Sequence, residues 1–220
     1  MKINKRITIL SGHYGSGKTN VAVNLATELR KNYDKVACAD LDIVNPYFRT
    51  KDSMQTFSEQ GIKLICSEFA NSNVDIPALP QEMYAVTDDR SYRVVVDVGG
   101  DDRGALALGR LTPEILKEND YDMLLVVNCF RPLTPDVEST VEVAKEIVNA
   151  CKINFTGVVN NSNLGEFTTV EDVLGSVEYA ENIAKALGIK VKFTTVKQEL
   201  YSELKEKIEN VYPLTLQAKI

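Results

Sequence analysis

Eight residues near the N-terminus, Gly12-His13-Tyr14-Gly15-Ser16-Gly17-Lys18-Thr19, constrain the fold of this chain more than any other stretch. They match G-x-x-x-x-G-K-[ST] and stand between a β-branched run, Ile7–Leu10, and an amphipathic helical pattern, where a phosphate-binding loop has to stand. Glycines let such a loop bend until consecutive backbone N–H groups point inward, and the following helix adds its positive N-terminal end to the same anion site. On this reading Gly12, Gly15, Ser16 and Gly17 cradle phosphates, with Asn20 beside them at the helix start. Lys18 lies against β- and γ-phosphates, as a candidate for catalysis as well as binding, and the Thr19 hydroxyl holds Mg²⁺. The competing reading is a glycine-rich turn with a solvated lysine.

The rest of the chain keeps the same rhythm. Short apolar runs recur at Ile7–Leu10, Val36–Ala39, Ile62–Cys66, Val94–Val98, Met123–Val127, Phe155–Val159 and Ile189–Thr195, with helical patterns between them. That alternation predicts an α/β fold, a doubly wound, mostly parallel sheet with helices on both faces. Val21, Leu25 and Leu29, with Ala22 and Ala26, give the first helix its apolar face. Thr134 and Pro135 read as an N-cap and first helical position, before a stripe of Val137, Val141, Ala144 and Val148. Thr168-x-x-Glu171 reads as a capping box opening a helix that Gly188 closes. Ile189, Val191 and Phe193 alternate with Lys190, Lys192 and Thr194, which predicts an edge strand. The stretch 70–91 fits neither period and reads as a mobile excursion over the sheet's crest or a plain surface connection. Nothing marks an internal boundary, so residues 1–220 are expected to form one nucleotide-binding domain.

Composition narrows the partners. With 25 Lys and Arg against 31 Asp and Glu, the formal charge is −6, which disfavours nucleic acid and anionic lipid. The densest basic group is only Lys2, Lys5 and Arg6. No apolar run approaches the ~20 residues that span a bilayer, and Ile7–Leu10 runs straight into the glycine loop rather than forming a signal sequence. No membrane insertion and a cytoplasmic location are the expectations. Cys38, Cys66, Cys129 and Cys151 lack metal-ligand or paired spacing and read as reduced core thiols.

A phosphate loop needs a second carboxylate at a neighbouring strand end to fix hydrated Mg²⁺. Tyr92–Asp97 is a hydrophobic strand ending in that acid, and Gly100 just beyond can bring its N–H close to a γ-phosphate. Asp40-Leu41-Asp42 ends the second strand on the same rim. Asp40 then supports the metal shell and Asp42 orients attacking water, unless either caps a helix.

Together the loop at 12–19, Asp40-x-Asp42 and Asp97-x-Gly-Gly resemble the MinD/ParA-like P-loop ATPases, the group that includes the nitrogenase iron protein. The resemblance follows element order over nearly the whole chain. In that group a second, signature lysine of the loop reaches across a dimer to the partner's phosphates. Here the aligned position is His13, followed by Tyr14 where a glycine is usual, which puts an ATP-sandwich homodimer in question. Asp97-Val98-Gly99-Gly100-Asp101 is also similar to the iron protein's switch, which makes Asp101 a rival to Asp42 as the water-orienting residue. Asn160-Asn161-Ser162-Asn163 resembles the Asn-Lys-x-Asp of related GTPases with both specifying residues changed, so guanine loses the carboxylate that pairs with its N1–H and amine. The resemblance implies instead that an Asn here reads adenine, Asn160 first and Asn161 as the near alternative. Arg49, Arg103 and Arg131 each follow a strand end and are expected to face the nucleotide or to pair with nearby acids. The resemblance implies a Mg·ATP-binding, slowly hydrolysing switch that binds ATP and ADP and acts on a protein partner. The alternative is a small-molecule kinase or an ATP-dependent carboxylate-activating enzyme.

Overall fold

A computed structural model describes residues 4–42, 51–66 and 81–216. In chain order the elements are β1 (Ile7–Ser11), α1 (Lys18–Arg30), β2 (Val36–Leu41), α2 (Lys51–Glu59), β3 (Ile62–Cys66), α3 (Gln81–Asp88), β4 (Arg93–Val98) and α4 (Asp102–Glu118). There follow β5 (Tyr121–Val127), α5 (Val137–Cys151), β6 (Gly157–Asn160), α6 (Val170–Gly175), α7 (Val177–Ala186), β7 (Val191–Lys197), α8 (Tyr201–Leu204) and β8 (Val211–Leu214). The strands form one eight-stranded sheet in the order β3-β2-β4-β1-β5-β6-β7-β8. Every neighbouring pair is parallel.

Both faces of this sheet are covered, which is why its strands read as unbroken apolar runs. Ile7 and Ile9 of β1, Val94 and Val96 of β4, and Met123 and Leu125 of β5 pack under α4, α5 and α7. Leu10, Val95, Leu124 and Val126, the alternate positions, pack under α1. The α1 face is the predicted one, with Val21, Ala22, Leu25, Ala26 and Leu29 buried. At the foot of the sheet Arg6, read from sequence as part of a basic cluster, is buried. Its guanidinium donates to both carboxylate oxygens of Glu118 and to Tyr92 O (3.2 Å), clipping β1 to α4 and β4. All four cysteines are free thiols, Cys38 and Cys151 fully buried. No helix among the described residues is long and apolar enough to cross a membrane.

Four local expectations change. The strand expected at the edge, β7, is interior, because β8 pairs along it from Thr194↔Val211 to Lys197↔Leu214. Tyr212 packs edge-to-face on Phe193 at 5.5 Å, and Pro213, which cannot donate to a ladder, is tolerated because β8 is itself an edge. The cap of α5 is Asp136, not Thr134, since the Asp136 carboxylate accepts the Ser139 N–H at 2.8 Å. The capping box lies one residue later than expected, at Thr169 and Asp172. The helix it opens breaks into α6 and α7 at Ser176, whose hydroxyl donates back to Val173 O (2.7 Å), while Gly188, at φ 68°, ends it as expected. Within 70–91, residues 81–88 form α3; the remainder up to residue 80 lies outside the described residues, as does Arg49.

Candidate functional site

Because the sheet is parallel, the loops after β1, β2, β4, β5 and β6 all emerge on one rim. Register brings the acids of that rim together: Asp97 pairs with Leu10 on one side and with Asp40 on the other. The phosphate-loop motif thus sits directly beside both metal-supporting candidates.

The loop itself is built for backbone N–H groups. Gly17 caps α1 in the left-handed region (φ 87°) and offers the helix no side-chain cap, which leaves first-turn donors for an anion. A Cβ at Gly17 would also stand 2.3 Å from Asn161 Nδ2. That amide donates to Ser16 O at 2.7 Å, and its oxygen accepts the Thr195 hydroxyl, so Asn161 braces the loop against β7. Gly100 is needed for a different reason. A Cβ there would lie 2.5 Å from Tyr14 N, so the loop after β4 rests directly on the loop after β1.

Lys18 is 6% exposed and donates from Nζ to His13 O at 3.1 Å. Burial lowers its pKa, while the charges of Asp97, Asp42 and Asp101 pull the other way. The Thr19 hydroxyl donates to Asp97 Oδ2 at 2.6 Å, and Asp97 Oδ1 is buried with no hydrogen-bond partner. Burial raises the Asp97 carboxyl to about 6, against the opposing effects of Lys18 and the Thr19 hydroxyl. A buried carboxylate with an empty lone pair, tied to a threonine hydroxyl at a phosphate loop, fits hydrated Mg²⁺. Asp40 is also buried, and its Oδ1 accepts the Asp42 N–H at 2.8 Å. No group of three or more His, Cys, Asp or Glu side chains among the described residues is placed to hold a metal ion by itself.

The two candidates for orienting water converge. The Asp42 and Asp101 carboxylates lie 3.4 and 3.2 Å from the point where a Cβ would stand on Gly99. Asp101 has a second task that sequence reading missed: its Oδ1 caps α4 by accepting the Gly104 N–H at 3.1 Å.

The asparagines make contacts within the protein. Asn160 is fully buried, donating to Ser176 Oγ at 2.9 Å and accepting the Ser162 N–H at 3.2 Å. Its amide and that of Asn161 both brace the protein internally, Asn161 through one donated and one accepted bond. Asn163, half-buried, donates to Asn161 O (2.7 Å) and accepts the Gly165 N–H (3.1 Å). Asn128, not singled out from sequence, accepts the Phe130 N–H at 3.0 Å and donates to Asn163 O at 3.3 Å, which links the loops after β5 and β6. The only sequence signal for it is an asparagine at a strand end. His13 donates from Nδ1 to Tyr14 O at 2.9 Å. Asn20 accepts from Asn24 through its carbonyl at 2.8 Å, within α1. Arg103 is exposed on α4, whereas the Arg131 side chain lies against Gly15 of the phosphate loop.

A family model described as the CobQ/CobB/MinD/ParA nucleotide binding domain matches residues 7–194. No curated protein matches the chain by sequence. Among solved structures, FtsY of Thermotoga maritima superposes with a TM-score of 0.60 at 19% identity, over 90% of this chain and 65% of that one. Chloroplast FtsY of Physcomitrella patens gives 0.56 at 18% identity, over 88% and 59%. The signal recognition particle 54 kDa protein of Aeropyrum pernix, solved in complex with GDP, gives 0.51 at 16% identity, over 88% and 42%. The chain therefore spans less than two thirds of each of these three structures, and what it shares with them is the α/β P-loop NTPase fold.

Proposed function

The chain belongs to the CobQ/CobB/MinD/ParA nucleotide-binding domain family, and from that premise we propose that it binds Mg·ATP, hydrolyses it slowly and signals its nucleotide state to a protein partner. The observation that carries this reading is the Thr19–Asp97 pair with its orphaned buried oxygen, set beside a buried Lys18. Mg²⁺ would be held by the Thr19 hydroxyl and through water by Asp97 and Asp40, and it would supply charge neutralisation for the β- and γ-phosphates. Lys18 would exchange its bond to His13 O for a phosphate oxygen. One carboxylate at Gly99, Asp42 or Asp101, would accept a hydrogen bond from the attacking water. Asp101 would do so while its Oδ1 caps α4.

ATP is favoured over GTP although the Aeropyrum relative was solved with GDP. Asn163 stands where related GTPases place their guanine-reading acid, and both its amide groups already serve backbone partners. The base would lie along 161–164, next to a shallow cleft lined by Asn163, Thr168, Lys197 and Leu216.

The switch role is supported by Gly100, whose backbone meets Tyr14 so closely that a phosphate bound in one loop must be felt in the other. Tyr14 in the phosphate loop and Leu133 in the loop after β5, each more than half exposed, are side chains that a partner would cover. Light scattering after size exclusion, comparing apo protein, Mg·ADP and a Mg·non-hydrolysable ATP analogue, tests it. A change of assembly or partner binding only with the triphosphate is expected. An unchanged state despite saturating nucleotide would favour the small-molecule enzyme.

A further inference from the structure

Arg131 belongs to the loop after β5, and that loop is tightly framed. Its backbone N–H donates to Asn128 O (3.2 Å), its carbonyl accepts from Thr134 N–H (3.1 Å), and the Cys129 N–H donates to Ser162 Oγ (3.1 Å). From this frame the side chain crosses to the phosphate loop. Its Cδ and Nε lie 3.6 Å, and its Cζ 3.9 Å, from the point where a Cβ would stand on Gly15. Yet the Arg131 Nε is buried with no hydrogen-bond partner, and the guanidinium forms no ion pair with the described residues.

An always-charged fork with a desolvated, unsatisfied donor is costly where it stands unless an acceptor arrives. Phosphate oxygens, like carboxylates, match the fork of its donors, and the anion expected over Gly15 is a phosphate. At the same time Lys18 is the one cationic side chain within the loop 12–19 besides the His13 ring, which is turned onto the carbonyl of Tyr14.

We infer that Arg131 is a phosphate-binding residue of the nucleotide site, reaching across Gly15 to an outer phosphate oxygen of the bound triphosphate and so supplying from the same chain the second positive charge that the loop lacks. The inference rests on the nucleotide-binding reading above. It assigns the site a complete cation set, Lys18 and Arg131, without a contribution from another protomer.

The test measures affinity for Mg·ADP and for a Mg·non-hydrolysable ATP analogue by titration calorimetry, together with apo melting temperature, in wild type, Arg131→Ala, Arg131→Lys and Lys18→Ala. Loss of a charge-assisted bond predicts about 10- to 100-fold weaker triphosphate binding in Arg131→Ala, a smaller loss for ADP, and partial recovery in Arg131→Lys. Because the buried Nε lacks a partner, the apo melting temperature of Arg131→Ala should stay level or rise. Triphosphate affinity within about twofold of wild type in Arg131→Ala, while Lys18→Ala abolishes binding, would overturn the role of Arg131 and leave the site reading standing. Absence of nucleotide binding by the wild type would overturn both.

Discussion

A carboxylate as buried as Asp97, with one oxygen on Thr19 and the other on nothing, is tolerated in a folded protein when a cation arrives to use it. Asp97→Asn should therefore raise apo stability, by about 1 kcal/mol on the scale of a buried unsatisfied group, while removing the Mg²⁺ dependence of nucleotide binding. Melting curves and titrations with and without Mg²⁺ check the two halves separately. Asp42→Ala and Asp101→Ala should each leave nucleotide affinity near wild type while one of them slows turnover; phosphate release measured at saturating ATP decides between them. Asn163→Asp should raise GTP affinity, because a carboxylate at that position accepts from guanine's N1–H and amine together; unchanged affinity for both nucleotides would place the base elsewhere. At this scale the sequence located the groups that a local pattern marks, and the fold brings them together. Gly17, Lys18, Thr19 and Asp97 needed only loop spacing and a strand end. The amides of Asn160 and Asn161 could not be read that way, because their partners, Ser176, Ser16 and Thr195, come from elsewhere in the chain.

Between elements, two contacts decide how the site is held. The loops after β1 and β4 touch at Gly100, and Gly100→Ala would drive a methyl into the Tyr14 backbone. Such a variant should keep the sheet yet lose coupling between nucleotide binding and loop position, seen as ATP and ADP giving the same protease-cleavage pattern. The second contact is Arg6–Glu118, 6% and 8% exposed at their side chains, which ties β1 to the end of α4. Hydrogen bonds from Arg6 hold the Glu118 carboxyl below its ordinary value. A depressed carboxyl stabilises the fold fully above its unfolded pKa near 4.3 and loses that contribution as pH falls through the folded value. Glu118→Gln should thus cost about 3–5 kcal/mol at pH 7, and the difference from wild type should shrink once the pH drops below about 4.3. Denaturant titrations at both pH values measure this directly. The helix caps show why element ends were read less well than elements. Asp136 and Thr134 are both credible caps by residue type, but in the preceding turn the Thr134 N–H and carbonyl are bonded to Arg131 and Tyr179, and the helix starts at Val137, directly after Asp136.

For the molecule as a whole, the α/β architecture was legible because a parallel sheet covered on both faces writes itself as repeated apolar runs, seven of which became strands. The eighth, β8, was hidden: four residues long, with Pro213 inside it, it shows no period at all. Its place is earned by tertiary contacts, Tyr212 on Phe193 and the Asn24 amide of α1 bound to Thr215 at 3.0 and 2.9 Å. Through Asn24 the final strand braces the helix that presents Lys18 and Thr19. The same global arrangement collects loops from five strands on one rim, which is what turns scattered acids, glycines and Arg131 into one site. The most direct test of that site is calorimetric titration of wild type and Lys18→Ala with ATP, in Mg²⁺ and in EDTA. Wild type is expected to bind tightly only with Mg²⁺ and Lys18→Ala to lose measurable binding; affinity that is absent in wild type, or undiminished in Lys18→Ala, would contradict a Mg·nucleotide site on this rim.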